Sequence, residues 1–315
     1  MGFSRRLPRN VVILLAAASL LSAPALAQTQ TPPAPPLVKL NVTVLDRQNQ
    51  PVTGLRQEDF QVVEGGKPQS VSFFSQEEAP LSYGLVIDAS GSMRTQIGKV
   101  VLAAQNIIRG NKPEDETFIV SFVSSDNIVT LQELTGNKSQ LLSALNLLRV
   151  EGGQTALIDA IYTSADYLDK HRRDNARNTL ILVTDGEDRN SYYKQEQLFS
   201  KLRKTRVQIF IIGLIYKLEN DNGGIARKST REAAQSLLDR LAKETGGVAF
   251  YPKNDKALES AAGELMLSLR PQYVIGFVPT TPAKSGQYRK VEVTVTSPDD
   301  KNKRKVITQG GYVAP

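Results

Sequence analysis

The chain has 315 residues, of which 40% are hydrophobic and 23% charged, a balance typical of globular proteins rather than disordered or membrane-embedded ones. It contains no cysteine, which excludes a disulfide framework, a thiolate metal site and a cysteine nucleophile. The formal net charge of +7 is not concentrated in a basic stripe with interleaved aromatic residues, so nucleic-acid binding is not expected.

The first 27 residues predict a cleaved secretory signal peptide. Three arginines precede an apolar run over residues 11–21, and the small residues Ala25 and Ala27 form a cleavage site before Gln28. A membrane-spanning helix needs about 20 apolar residues, so this run is too short to anchor the chain in a bilayer. We therefore expect a protein exported to the periplasm, the cell surface or the medium, with no membrane-spanning segment after cleavage.

Residues 28–36 are rich in proline, which predicts a stiff, extended linker without a core of its own. From residue 37 the pattern changes, and apolar side chains alternate with polar ones over residues 38–44. Such alternation is typical of a strand with one buried face. Shorter strand-like runs follow near residues 60–62 and 71–73. Residues 37–80 are therefore predicted to form β structure.

Residues 81–270 have a different pattern. Short, continuous apolar runs predict strands that are buried on both faces, at residues 85–87, 118–123, 180–183 and 207–212. Apolar residues recur at helical spacing between or after these runs, over residues 97–108, 157–168 and 258–269. Because strands and helices alternate, the sequence predicts an α/β domain with a doubly wound, mostly parallel sheet that carries helices on both faces.

The last segment, residues 271–315, returns to alternating apolar residues, at 273–277 and 291–295. In a doubly wound domain the first strand starts, and the last helix ends, at the edge opposite the carboxyl ends of the strands. Residues 37–80 and 271–315 should therefore meet, since neither segment has enough strands for a stable sheet by itself. The sequence predicts one β-sandwich, formed by both segments, into which the α/β domain is inserted.

Polar side chains follow the predicted strands where the chain leaves the sheet. The first central strand ends in the run Asp-Ala-Ser-Gly-Ser, which places Asp88, Ser90 and Ser92 at its carboxyl end. Open α/β sheets bind ligands at this edge. Thr155 lies at the entrance to a predicted helix, and Asp185 ends another predicted strand. All five side chains are hard oxygen donors, a set that selects magnesium, calcium or manganese over zinc or copper.

Each part of this pattern also has a simpler interpretation. Aspartate and serine are favoured helix caps, and a threonine after glycines or an Asp-Gly pair after a strand is ordinary turn chemistry. All three parts in this order, each at a predicted strand or helix boundary, favour a metal site. Hydroxyls are neutral, weak donors, so such a site would leave the cation electrophilic and open to a carboxylate from a partner.

The five residues resemble the metal-ion-dependent adhesion site of von Willebrand factor type A domains, written Asp-x-Ser-x-Ser, then Thr, then Asp. The resemblance covers about residues 81–270. It implies a Mg²⁺ ion, with Mn²⁺ or Ca²⁺ as alternatives, bound directly by Ser90, Ser92 and, in the ligand-ready state, Thr155. It also implies that Asp88 and Asp185 act largely through water. An aspartate or glutamate of a protein partner would complete the coordination, which makes the chain a non-enzymatic, adhesion-type binding protein.

The flanking segments are similar to a subgroup of these proteins that is common in Acidobacteria. Residues 57–60, 64–69 and 311–312 carry part of that resemblance. One departure is the loop of residues 217–231, which is longer and more polar than expected before the helix that follows; disorder and contact with the partner are the two alternatives for it.

Two acids follow the last predicted metal ligand. Glu187 and Asp188 are candidates for partner contact, for indirect metal contact or for catalysis. The plainer interpretation is that both are solvated loop acids, since such residues are mostly exposed.

Three other functions fit the sequence less well. A metal-dependent hydrolase of the cell envelope needs a base or nucleophile beside the cation, whereas the single histidine, His171, lies at a predicted helix end. A subunit of an assembly complex remains an alternative, although ATP-driven partners are cytoplasmic and the chain has no phosphate-binding Gly-x-x-x-x-Gly-Lys loop. A carbohydrate-binding sandwich would lack tryptophan for stacking. We therefore expect neither enzymatic activity nor nucleotide binding.

Overall fold

The computed structural model describes residues 37–48, 50–76, 79–171, 173, 176–205, 207–218, 229–270, 273–296 and 304–314. The predicted signal peptide (1–27), the predicted linker (28–36) and most of the loop 217–231 lie outside the described residues. Within the described ranges, no helix has both the length and the apolar character needed to cross a bilayer.

Four strands precede the central domain: β1 (Val38–Leu45), β2 (Phe60–Glu64), β3 (Lys67–Gln69) and β4 (Val71–Ser75). In β1 the side chains of Leu40 and Val42 are fully buried and Lys39 is exposed, as the alternating pattern predicts. Gly65 and Gly66 have φ angles of 54° and 81°, which allow the tight turn that joins β2 to β3.

Strands and helices then alternate through the central domain. They are β5 (Leu81–Asp88), α1 (Ile97–Arg109), β6 (Glu116–Phe122), β7 (Ile128–Thr135), α2 (Lys138–Leu145), α3 (Leu157–His171), β8 (Arg177–Thr184), α4 (Gln195–Thr205), β9 (Gln208–Gly213), α5 (Thr230–Thr245), β10 (Ala249–Phe250) and α6 (Asp255–Leu269). The sheet order is β10-β9-β8-β5-β6-β7, and only β7 runs antiparallel to its neighbour. This is the predicted doubly wound, mostly parallel sheet.

Helices cover both faces of this sheet. On one face α1, α2 and α6 pack against alternate residues of β5, among them Tyr83, Leu85 and Ile87. On the other face α3, α4 and α5 enclose a second core that includes Val86 and Phe118. Every residue of β5 is buried, which explains why its apolar run is continuous rather than alternating.

Four strands follow the central domain: β11 (Tyr273–Phe277), β12 (Tyr288–Val295), β13 (Lys305–Ile307) and β14 (Gly311–Val313). They pair with the first four strands in two antiparallel sheets, with the orders β13-β1-β11-β4 and β14-β12-β2-β3. Side chains of both sheets share one core, which includes Val42, Val62, Tyr273 and Val293. The prediction of an α/β domain inserted in a sandwich is confirmed.

The sandwich joins the central domain at the amino end of β8. The buried side chain of Arg177 donates from Nε to Oε1 of Gln208 at 2.6 Å and from Nη1 to the carbonyl of Leu269. Nη1 also lies 3.5 Å from the hydroxyl of Thr43, on β1. One guanidinium therefore contacts a sandwich strand, the central sheet and the end of α6. Burial lowers the pKa of Arg177 to about 9.

Candidate metal centre

The chain leaves β5 in a loop that places two hydroxyls side by side. Oδ1 of Asp88 accepts the backbone N–H of Ser90 at 3.0 Å, which bends the chain at the end of the strand. A 3-10 helix, Gly91–Thr95, follows at once. Oγ of Ser90 and Oγ of Ser92 lie 3.1 Å apart. Asp88 and Ser90 are buried, whereas Ser92 is exposed, so this pair of hydroxyls lies at the surface end of a buried polar site.

The end of β8 brings a second carboxylate to the same place. The hydroxyl of Thr184 donates to Oδ2 of Asp88 at 2.7 Å. The next residue, Asp185, is 2% exposed and accepts the backbone N–H of Glu187 through Oδ1 at 3.1 Å. Its other oxygen, Oδ2, is buried and has no hydrogen-bond partner among the described residues. A buried carboxylate oxygen normally has a partner, so this atom points to a missing donor or cation.

The two carboxylates are close enough to perturb each other. Burial raises the pKa of Asp88 to about 6, and the negative charge of Asp185 adds to the rise. Burial also raises the pKa of Asp185, while the nearby hydroxyl of Ser92 opposes that rise. These couplings place Asp88, Asp185 and the two serines in one electrostatic cluster. Two partly buried anions side by side are unfavourable without a positive charge between them.

Backbone contacts bring the segment of Thr155 to the same edge. The N–H of Glu151 donates to the carbonyl of Ala89 at 3.0 Å, and Thr155 is 3% exposed at the start of α3. The carbonyl of Thr155 accepts the N–H groups of Arg189 at 2.8 Å and Asn190 at 3.2 Å. The segment 151–155 thus contacts both the loop after β5 and the loop after β8.

A glycine in that segment is required by close packing. A Cβ atom at Gly153 would lie 2.6 Å from Cγ1 of Val123, at the end of β6. The N–H of Ala156 donates to the carbonyl of Val123 at 3.1 Å, which holds the start of α3 against that strand. The three parts of the motif therefore meet at the carboxyl edge of the sheet, as the strand polarity predicts.

The residues present fit a hard divalent cation. The donor set consists of two carboxylates and up to three hydroxyls, all oxygen, and one carboxylate oxygen is buried without a partner. Across the described part of the chain, no group of three or more His, Cys, Asp or Glu side chains is arranged to hold a metal. The candidate centre differs from such groups because hydroxyls make up most of its donors.

The two acids after Asp185 are engaged with their own neighbours. The carboxylate of Glu187 pairs with the guanidinium of Arg189 at 2.8 Å. Oδ1 of Asp188 accepts the N–H of Ile158 at 3.1 Å and the hydroxyl of Ser191 at 2.5 Å. Asp188 therefore helps to cap α3, a structural contact that the sequence did not predict. Partner contact by these two residues stays a prediction.

Sequence reasoning missed Asp159, which organises the loop after β8. Its buried carboxylate accepts the N–H groups of Tyr192 at 2.8 Å and Tyr193 at 2.9 Å. It also accepts the hydroxyl of Ser125 at 2.5 Å. An aspartate in the first turn of a helix is common, so the sequence carries no signal that could have singled it out.

The flanking sandwich makes no polar contact with the candidate ligands among the described residues. In the described ranges, no hydrogen bond or ion pair links the five candidate ligands to either flanking segment. The junction around Arg177 lies at the opposite end of β8.

Comparison with solved structures finds similar chains at low sequence identity. A pilus adhesin, SpaC from Lactobacillus rhamnosus GG, has a TM-score of 0.50 at 12% identity, covering 85% of this chain and 49% of its own. A von Willebrand factor type A protein from Catenulispora acidiphila has a TM-score of 0.49 at 14% identity, covering 90% and 74%. An aerotolerance-related membrane protein from Bacteroides fragilis has a TM-score of 0.46 at 16% identity, covering 60% and 98%.

The family comparison is the more specific one. No curated protein matches the chain at a significant level. The family model of the von Willebrand factor type A domain matches residues 84–264, from the middle of β5 to α6. Because this match covers more than half of the 315 residues, the protein belongs to the von Willebrand factor type A domain family.

Proposed function

We propose that the protein is an exported, non-enzymatic binding protein of the adhesion type that binds an acidic residue of a protein partner through a divalent cation. Ser90, Ser92 and Thr155 would hold the cation directly, with Asp88 and Asp185 acting largely through water. Mg²⁺ is the expected ion, and Mn²⁺ or Ca²⁺ are the alternatives. The observation that carries the proposal is the partnerless buried oxygen of Asp185 beside the paired serine hydroxyls.

Electrostatics support a cation at this place. Asp88 and Asp185 are both buried, and each residue's environment disfavours its charged form. Keeping two such groups together costs stability, which a bound cation would offset. The bound ion would supply an electrophilic position that accepts one further anionic oxygen.

The polarity of the site supports a carboxylate as that oxygen. The hydroxyls of Ser90 and Ser92 are neutral, so they leave the positive charge of a bound ion largely uncompensated on the exposed side. Ser92 is exposed while the two aspartates are buried, so an incoming group would meet the hydroxyls first. An aspartate or glutamate side chain has the charge and the hard oxygen that this position favours.

A binding function, rather than catalysis, is supported by the position of the one histidine. His171 lies at the last residue of α3, where its ring stacks on Tyr167 at 4.2 Å and Nδ1 contacts the Tyr167 carbonyl at 2.8 Å. Thr155 lies two residues before the first residue of the same helix, whose 15 residues span about 22 Å at 1.5 Å per residue. His171 is therefore not placed to act as a base beside the candidate centre.

Export is proposed from the signal-like pattern of residues 1–27. The motifs of the flanking segments support membership of the subgroup common in Acidobacteria.

Calorimetric titration of MgCl₂ or MnCl₂ into the chain from Gln28 onward tests the metal centre. Wild type should give saturable heat, and Ser90→Ala should abolish it. Ser260→Ala is a matched control, because its hydroxyl bonds only within α6, to the carbonyl of Lys256. Identical titrations for wild type and Ser90→Ala would overturn the assignment.

Peptide binding tests the rest of the proposal. In MgCl₂ the protein should retain immobilised peptides that contain aspartate or glutamate, and release them on addition of a chelator. The same peptides with asparagine or glutamine should not bind. Assays for peptidase, phosphoesterase and glycosidase activity should stay at background with each metal. Turnover that disappears in Ser92→Ala would establish the hydrolase alternative instead.

A further inference from the structure

An exposed aromatic side chain belongs to a loop that contacts the segment of Thr155. Tyr192 is 78% exposed, more than any other large hydrophobic side chain in the described ranges. It belongs to the loop of residues 186–193 that follows Asp185. A large ring in water contributes little to folding, and tyrosine is enriched in the energetically dominant contacts of protein interfaces.

The backbone at Tyr192 is held in place by the buried carboxylate of Asp159. Both its own N–H and that of Tyr193 donate to the carboxylate of Asp159, at 2.8 and 2.9 Å. The hydroxyl of Ser125 lies 2.5 Å from the same carboxylate and 2.9 Å from the carbonyl oxygen of Asn190, so its one proton is shared between these two acceptors. These bonds tie the loop to α3 and to the end of β6. The position of Tyr192 is therefore set before any partner arrives.

Neighbouring rings orient the side chain as well. Tyr193 stacks on Tyr162 of α3, with ring centres 3.8 Å apart and planes 12° from parallel. The ring of Tyr192 meets Tyr193 edge-on, at 5.2 Å and 85°. Among the described contacts, this edge is the only one that its side chain makes. Its faces are exposed and available to another molecule.

The loop that carries Tyr192 is bonded to the segment that carries Thr155. Arg189 and Asn190 bond to the carbonyl of Thr155, and Tyr192 is two residues further along. Two residues span at most about 7 Å. In an extended peptide, side chains two residues apart lie on the same face, also separated by about 7 Å. A partner that places a carboxylate at the centre would therefore bring its neighbouring side chains to the loop that carries Tyr192.

We propose that Tyr192 is a specificity-determining residue that packs against an apolar, flat side chain, aromatic or proline, within two residues of the acidic residue held at the metal centre. This inference rests on the proposed function, because it names the class of protein segment that the same site would select. The partner is thus an extended segment that combines one acid with one such apolar residue.

Binding to a peptide array in MgCl₂ tests the inference. The peptides carry one central aspartate, flanked either by glycines only or by one phenylalanine or proline at each position up to two residues away. Wild type should prefer the apolar-flanked peptides by about tenfold, the size of an ordinary interface contact. Tyr192→Ser should reduce that preference below about twofold, without changing binding of the glycine-flanked peptide. Tyr192→Phe should retain the preference.

Two controls separate the possible failures. Tyr192→Ser should give the same MgCl₂ titration as wild type, and Leu102→Ser, which removes another exposed apolar side chain (59% exposed, on α1), should leave the preference intact. An unchanged preference in Tyr192→Ser would overturn this inference alone. If wild type binds no acidic peptide in MgCl₂, the proposed function fails together with it. Selective binding of a uronic-acid oligosaccharide would replace the protein partner with a glycan and so overturn the inference.

Discussion

The hydroxyl of Thr184 donates a hydrogen bond to Oδ2 of Asp88, with an oxygen–oxygen distance of 2.7 Å. The two residues end the neighbouring parallel strands β8 and β5, 96 positions apart in the chain. Oδ1 of Asp88 is already used by the N–H of Ser90, so this bond completes the orientation of the carboxylate. Because Asp185 is the residue after Thr184, the bond also holds Asp185 close to Asp88.

Thr184→Val should therefore weaken the centre although Thr184 is not a candidate ligand. A buried carboxylate would lose one of its donors, which costs about 1–3 kcal/mol of unfolding free energy. Urea denaturation without metal would measure this loss, and calorimetry should show weaker MgCl₂ binding. Thr130→Val, on the exposed face of β7, is a control that should change neither quantity. Unchanged stability and metal affinity in Thr184→Val would contradict the role assigned to this bond.

The metal centre also predicts opposite effects of one substitution with and without metal. Asp185→Asn removes one of two buried anions, so the metal-free protein should become more stable, by on the order of 1 kcal/mol. The same variant should lose the stabilisation by MgCl₂, which for wild type reaches about 2.7 kcal/mol at a hundred times the dissociation constant. Thermal unfolding at several MgCl₂ concentrations measures both effects. A variant that is less stable without metal, or equally protected by it, would argue against a shared cation site.

Much of the fold could be predicted because burial determines the sequence pattern. Alternation over residues 38–44 predicts β1, since one face of that strand is buried, and the continuous apolar run at 85–87 predicts a strand buried on both faces. Strand β7 was not predicted. It is the edge strand of the central sheet, and its partly buried apolar residues Ile128, Leu131 and Leu134 recur every third position. Register irregularities in its pairing with β6 break the two-residue period.

The candidate site shows a similar division. Strand polarity alone predicts that the loops after β5 and β8 share one edge, so the position of the motif residues follows from the fold. The side-chain contacts that support that edge cannot be predicted from strand polarity. Asp159 and Ser125 are 34 residues apart, and no local pattern marks either as a partner of the other. The contact of Arg177 with Thr43 spans 134 positions and depends on how the two domains pack.

Close packing between the domains predicts a position that tolerates glycine alone. Gly246 ends α5 with a φ of 74°, and a Cβ atom there would lie 2.0 Å from the carbonyl oxygen of Thr308. Gly54 has a similar φ of 78° but open space around it. Gly54→Ala should thus cost about 1–2 kcal/mol, the ordinary penalty of left-handed backbone. Gly246→Ala should cost clearly more, since the backbone of residue 308 must also move. Urea denaturation of both variants measures the difference, and equal losses would contradict the packing described here.

A buried ion pair predicts how strongly the two flanking segments depend on each other. Glu64 on β2 accepts two hydrogen bonds from Arg289 on β12, at 3.1 and 2.6 Å, and its side chain is fully buried. Arg289→Met would leave that carboxylate without its cation, and should lower the unfolding free energy by about 3–5 kcal/mol. The hydroxyl of Tyr312 also donates to Glu64, so part of the site would remain satisfied.

Comparison with a surface pair and with a double variant makes this prediction decisive. Lys290 and Glu292 form an ion pair with side chains 71% and 60% exposed, so Lys290→Met should leave the unfolding free energy nearly unchanged. Adding Glu64→Gln to Arg289→Met removes the unpaired charge and should restore part of the lost stability. Urea denaturation of wild type, of the single variants Arg289→Met and Glu64→Gln, and of the double variant gives the coupling between the two residues. Because they come from opposite ends of the chain, a coupling near zero would mean that the two flanks do not share one sandwich core in solution.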